Sequence, residues 1–254
     1  MSHSGKIIVL ITGANQGIGY ETAKNLVQSS ADFHVILGSR DSSKGEAAAQ
    51  ALQADGVKAK GTASSVSLDV TDETSIAAAA ERVAADFGRL DVLVNNAGII
   101  SAASPPTAQA LRRVLETNVV GALAVTEAFL DLLRKAERKP PRLVFVSSSM
   151  GSITHAADPA SPYYNPHGTE YRTSKAALNM LMTMYSARLK PEGFLVIGAD
   201  PGLCATNFTG DAASLKNRGA AEPADGGDRV AAVIKGEKDA DAGRVIGVYG
   251  VSPW

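Results

Sequence analysis

The sequence is short of several things, and each shortage removes a class of function. It holds one cysteine, Cys204, so no disulfide can form within the chain, which fits a reducing compartment. A single thiol is more often a packed side chain than a nucleophile. The four histidines, His3, His34, His155 and His167, are scattered and show no metal-ligand spacing. No charge predominates: 25 Lys and Arg stand against 26 Asp and Glu, a net charge of −1. No global field therefore draws the chain to nucleic acid or an anionic membrane. The apolar run at 7–11 leads straight into a glycine turn. It lacks the length and small-residue cleavage pattern of a signal peptide, and no run approaches the roughly 20 apolar residues of a membrane span. Asn207-Phe208-Thr209 matches a glycosylation triplet, which carries no meaning without secretion. The expectation is a cytoplasmic protein with no nucleic-acid or membrane partner.

What is present is a chain of 254 residues, 45% hydrophobic and 20% charged, enough for one large α/β domain spanning 1–254. Apolar runs suited to strands lie at 6–12, 33–39, 90–95, 142–148 and 194–199, a weaker one at 64–70 and a last one at 244–250. Several are continuously apolar, as strands covered on both faces must be. Helical patterns separate them. One over 72–88 is expected to start after Thr71 as N-cap and to stop at Gly88. Another over 170–189 puts Leu178, Leu181, Tyr185 and Leu189 on one face. The alternation predicts a doubly wound parallel sheet of about seven strands with helices on both faces. Segments 152–169 and 207–227 are rich in breakers and read as long loops, placed where such folds bind ligands.

"TGANQGIG", residues 12–19, joins the first strand to the first helix. Gly13 permits a sharp turn. Gly17 and Gly19 clear side chains from a helix N-terminus, which suits a pyrophosphate. Dinucleotide binding is the better reading of this context than a plain tight connection. The second strand ends "GSRDSSKG". Ser39 sits where an NAD site places a carboxylate, and Arg40 follows, suited to a 2′-phosphate. Lys44 adds attraction, while Asp41 reads as a helix cap. NADPH is favoured over NADH.

Tyr171 and Lys175 in "YRTSK" lie four apart and so share a helix face. Alone, the fragment is equally a solvated surface. Beside a reacting carbonyl it means more. An ammonium at ~4 Å stabilises a phenolate by roughly 4 kcal/mol at an effective dielectric of about 20, equivalent to two to three pKa units. The sequence thus predicts a phenol made more acidic by its lysine.

Taken in order, "TGANQGIG", "NNAG" at 95–98, "ETNVVG" at 116–121, "VSSSMG" at 146–151, "YRTSK" and "DPGLCAT" at 200–206 resemble the short-chain dehydrogenase/reductase family over nearly the whole chain. Within it, "GSRDSSKGEAAAQAL" and "GVYGVSPW" look most like NADPH-dependent carbonyl reductases. The resemblance implies a Rossmann-type fold and a catalytic set of Asn118, Ser148, Tyr171 and Lys175. Ser148 is selected over Ser147 and Ser149 by Gly151, three positions on. Cofactor contacts are implied at Gly13, Asn15, Gln16, Gly17, Ile18, Gly19, Ser39 and Arg40. Asp69 and Val70 would flank the adenine, and Asn95, Ala97 and Gly98 would line the floor under the ribose. Asn95 reads equally as a brace for the fourth strand. Pro201, Gly202 and Thr206 would hold the nicotinamide side, with Tyr171 and Lys175. The implied reaction is reduction of a small ketone or aldehyde by NADPH, with Tyr171 as general acid and a water on Asn118 resupplying protons. Oxidation of an alcohol and non-catalytic dinucleotide sensing stand as alternatives. Two departures matter: Gln16 stands where NADPH-preferring relatives often carry a cation, and Ser148 to Tyr171 spans 23 positions, more than the family's usual gap. The extra Pro-rich segment would shape the substrate entrance, and a homodimer or homotetramer is expected from the family.

Overall fold

Side-chain alternation explains how one sheet carries two cores. In β1 (Ile7–Thr12), Ile8 and Leu10 join one buried cluster while Val9 and Ile11 join the other. Both faces are covered, so the strand is continuously apolar. The same holds for β2 (Phe33–Ser39), β4 (Val92–Asn95), β5 (Arg142–Val146) and β6 (Leu195–Ala199), whose residues are all buried. The computed structural model describes residues 5–101 and 104–254; His3 lies outside them.

The edge strand β3 (Thr62–Ser67) is only half-buried, which accounts for its polar sequence. Among the described residues the sheet has eight strands in the order β3-β2-β1-β4-β5-β6-β7-β8. All neighbours pair in parallel except the last two. The run expected as one strand at 244–250 divides into β7 (Val245–Gly247) and β8 (Gly250–Val251), which pair antiparallel. Gly250 adopts φ +95, open to glycine at no steric cost, so the chain doubles back where the sequence predicted a seventh straight strand.

Helices α1 (Gly17–Ser29), α2 (Ser42–Gln53) and α9 (Pro223–Lys235) are tied to the cluster that contains Leu26, Leu52 and Ile234. The opposite cluster holds α3 (Glu73–Phe87), α5 (Gly121–Arg134) and α7 (Thr169–Leu189) through Val83, Phe129 and Tyr185. Phe129 and Phe145 are fully buried, and each such side chain contributes about 1.5–3 kcal/mol of transfer free energy. Asp72, not Thr71, caps α3, accepting from the Thr74 amide. Thr71 instead donates to Asp69. Gly88 ends α3 with φ +70, as expected.

The long helical region 107–137 is not one regular helix. α4 (Ala108–Leu115) passes through a π-turn at Glu116–Val120 before α5 begins. The two breaker-rich segments also hold short helices: α6 (Ile153–Ala157) in the first and α8 (Ala212–Asn217) in the second. Strand order reverses direction between β1 and β4. That switch point opens a crevice at the carboxyl ends of the strands, into which the glycine turn and the 95–98 segment both lead.

Candidate active site

The crevice begins at Thr12. Its hydroxyl accepts from the amides of Asn96 (3.0 Å) and Ala97 (2.9 Å). The Asn96 side chain donates back to the carbonyls of Thr12 (2.7 Å) and Gly13 (3.2 Å). These bonds lock the glycine turn onto the loop after β4. Gly13 and Gly17 adopt φ +62 and +61, conformations that favour glycine. A Cβ at Gly19 would stand 2.6 Å from the Asn96 amide nitrogen, and one at Gly13 would stand 3.0 Å from the Ala97 Cα. Gln16, at the N-cap of α1, makes no side-chain cap hydrogen bond, so the helix keeps donors and a partial positive charge for an anion. Across the opening a Cβ on Gly17 would meet Thr206 at 3.9 Å. The turn and the 201–206 segment thus face each other, with no side chain from Gly17 in the space between them.

Asn15 and Gln16, with Tyr20 and Lys44, line a cleft of about 460 Å³ between α1 and α2. The Ile18 side chain turns away toward Gly226 of α9, leaving only its backbone for the crevice. Ser39 ends β2. It is 2% exposed and donates its hydroxyl to the Asp41 carbonyl at 2.8 Å, held down by the close packing of Gly45. Arg40 beside it is exposed. Asp41 caps α2 through the Lys44 amide. The Thr71 amide and hydroxyl hold the Asp69 carboxyl below its usual range, with a smaller contribution from the Arg40 charge. Val70 is buried, its carbonyl against Gly121.

Asn95 is 4% exposed and its side chain donates to Thr126 of α5 at 2.9 Å, so it braces the strand. Alternation sends its neighbour Asn96 to the crevice. Ala97 and Gly98 are half-buried there, and Gly98 lies against Asn118, whose Oδ1 a Cβ would approach to 3.3 Å.

At the end of β5 the three serines separate. Ser147 is buried and bonded to Asn179 of α7. The Ser149 amide donates to Asp200 at 2.7 Å. Ser148 is half-buried, its hydroxyl accepts from the Met150 amide at 3.2 Å, and it stands near enough to Tyr171 to draw that phenol's pKa down. Gly151 makes this possible: a Cβ there would stand 2.6 Å from the Lys175 carbonyl carbon, so only glycine lets the serine turn rest on α7. Lys175 is 5% exposed, donates to the Val146 carbonyl at 2.8 Å and sits 5.5 Å from the centre of the Tyr171 ring. Ser148, Tyr171 and Lys175 converge on one cleft.

The electrostatics reverse the expectation for the phenol. Burial raises the Tyr171 pKa and the Asp200 charge raises it further, while Ser148 opposes both. Burial pushes the Lys175 ammonium down to about 8, against the pull of Asp200. Charge counting from the sequence omitted desolvation, which disfavours both ions.

Asn118 lies in the π-turn and is 1% exposed. Its side chain donates to the Ile99 carbonyl (3.0 Å) and to Ser174 (2.9 Å) and accepts from the Ile99 amide (2.8 Å). The side chain is fully engaged in holding the 96–99 loop to α7, so a water on this residue must use its main-chain carbonyl. Beyond β6, Pro201 accepts from Arg229 at 2.5 Å, and Gly202 donates to Asp200 at 2.8 Å. The Phe208 and Tyr171 rings meet edge-on, their centres 5.8 Å apart. Sequence reasoning passed over Asn96, Ser174 and Asp200. The doubled asparagine and the acid before Pro201-Gly202 were the visible signals.

Known proteins are similar to this chain in sequence and fold. The family model for short chain dehydrogenase matches residues 7–217. The short-chain dehydrogenase/reductase tropE of Talaromyces stipitatus is 36% identical over 257 residues, covering 96% of each chain. The short-chain dehydrogenase/reductase eupG of a Phoma species is 34% identical over 98% of each. Among solved structures, an NADPH-bound carbonyl reductase from chicken fatty liver superposes with a TM-score of 0.80 at 29% identity, covering 98% of this chain and 99% of that one. With the family model matched over most of its length and relatives of this similarity end to end, the chain belongs to the short-chain dehydrogenase/reductase family of oxidoreductases, which work with a nicotinamide dinucleotide on small-molecule substrates.

Proposed function

We propose that the protein reduces a ketone or aldehyde of a small molecule to the alcohol, with NADPH preferred over NADH. The observation that carries this reading is the convergence of Ser148, Tyr171 and Lys175, with the Lys175 ammonium 5.5 Å from the centre of the Tyr171 ring.

The bound cofactor supplies a hydride to the carbonyl carbon. As negative charge grows on the carbonyl oxygen, Ser148 donates a hydrogen bond to it, where a fixed donor strengthens most. Tyr171 delivers the proton. Its raised pKa keeps the phenol protonated at neutral pH, the form a reductase needs. Lys175 binds the ribose side of the cofactor and is the cation nearest the phenolate left behind. The Asn118 main-chain carbonyl holds the water that returns the proton. Gly13, Gly17 and Gly19 clear the pyrophosphate path, with the amides of Asn15 to Gly19 as donors. Arg40, exposed at the end of β2, meets the 2′-phosphate with its fork of donors, supported by Lys44. Asp69 would hold the adenine end of the cofactor, and Pro201, Gly202 and Thr206 would hold the nicotinamide end. Phe208 beside Tyr171 and the half-buried Met150 favour an apolar substrate.

Purified protein mixed with NADPH or NADH and a panel of ketones tests this directly. Loss of reduced-nicotinamide absorbance is expected, faster with NADPH. Tyr171→Phe is expected to lower turnover at least about a hundredfold while cofactor affinity stays within about threefold. Turnover unchanged in that variant removes Tyr171 from the acid role.

A further inference from the structure

Asp200 is a buried acid beside the site that the mechanism above leaves unused. It follows β6 directly and is 3% exposed. Each carboxylate oxygen accepts a backbone amide from a different loop: Oδ2 from Ser149 at 2.7 Å and Oδ1 from Gly202 at 2.8 Å. Its own amide donates to Ile246 at 2.8 Å, and Gly247 leaves it room, since a Cβ there would stand 3.3 Å from Oδ2. The residue therefore fastens three segments at one point: the serine turn, the 201–202 turn and the strand leading into the final hairpin.

We propose that Asp200 is a positioning residue of this active site, holding the Ser148 turn against the 201–202 turn and placing one fixed negative charge opposite Tyr171 and Lys175. The proposal rests on the reductase reading and deepens it. A neutral side chain of the same shape would not do the same work. Asparagine has one acceptor oxygen where two amides point, and its NH₂ would oppose the second amide. Nor would it carry charge. The charge bears on both members of the pair, since Asp200 raises Tyr171 and supports the protonated form of Lys175. A phenol facing that anion keeps its proton to higher pH.

The surroundings limit what else can produce that effect. Lys175 is on α7 with Tyr171. From the 161–168 segment Tyr163 approaches, near enough to be acted on by Ser149, Asp200 and, from the hairpin, Tyr249. Cys204 feels Arg229, Asp225 and Asp200. Arg229 of α9 is committed to the Pro201 carbonyl. Asp200 is the anion that acts on both Tyr171 and Lys175.

The test is the pH profile of kcat for Asp200→Asn and Asp200→Ser, measured with NADPH and a ketone that the wild type reduces, folding being checked by circular dichroism. Loss of the anion is expected to move the alkaline limb to lower pH by about one unit or more, with the acid limb of alcohol oxidation moving in parallel. Asp200→Glu, which keeps the charge, is expected to retain the wild-type limb while kcat falls. A drop in kcat with no movement of either limb in the neutral variants reduces Asp200 to a structural tie and overturns the proposal, as does failure of both neutral variants to fold. The reductase reading fails separately, through Tyr171→Phe, whatever Asp200 does.

Discussion

At the residue scale, the least comfortable side chain is Lys175. An ammonium that is 5% exposed and whose pKa falls to about 8 is bound at a cost. Between pH 8 and its ordinary value the unfolded chain holds the proton more tightly than the folded one, so this residue makes stability rise with pH across that window. At neutral pH the cost is about 3 kcal/mol, offset by about 1 kcal/mol from the bond to Val146. Lys175→Met is therefore expected to raise the melting temperature of the ligand-free protein by a few degrees while turnover is lost; calorimetry checks the first and the ketone assay the second. Residue-scale legibility was uneven. The tyrosine and lysine declared themselves by spacing, but the sign of the phenol shift did not, because burial cannot be counted from a four-residue interval. Asn96 went unread for a simple reason. Successive side chains on an extended chain point opposite ways, and the sequence does not say which points into the crevice.

At the element scale, α1 and α9 meet closely enough that two glycines of α9 have no room for a side chain. A Cβ on Gly227 would stand 2.6 Å from the Glu21 Cβ and 2.8 Å from the Thr22 amide nitrogen, and one on Gly226 would stand 2.6 Å from Ile18 Cδ1. The glycine pair sets how near α9 comes to the helix that opens at the glycine turn. Gly227→Ala is expected to cost about 1–3 kcal/mol through overpacking and to weaken cofactor binding at the same time, since α1 shifts with its N-terminus. Denaturant melts and cofactor titration would measure the two effects. The strands were legible as elements because double burial writes itself as unbroken hydrophobicity. The π-turn at Glu116–Val120 and the final hairpin were not. Nothing in "ETNVV" distinguishes a widened turn from ordinary helix, and Val248-Tyr249 is not a pair that signals a reversal.

At the scale of the whole molecule, the two ends of the sheet do different work. The carboxyl ends carry the crevice. At the opposite ends Arg142, 3% exposed, forms a two-pronged pair with Asp239 at 2.5 and 2.6 Å, and the buried Asp91 accepts from the amides of Ile8 and Arg138 at 2.8 Å each. Removing the Asp239 carboxylate leaves a buried guanidinium without its partner. Because Asp239 is partly solvated, Asp239→Ala is expected to cost about 2 kcal/mol, lowering the melting temperature by several degrees with kcat unchanged at assay temperature. A parallel fall in kcat would contradict this separation of labour.

The breaker-rich stretches around α6 and α8 stand at the crevice, on the far side of the sheet from those ion pairs. Their length and composition can drift without loosening the frame beneath them. A lineage can therefore change what it admits by rewriting a rim, and a laboratory seeking new substrates has the same freedom: graft there, and leave the base alone.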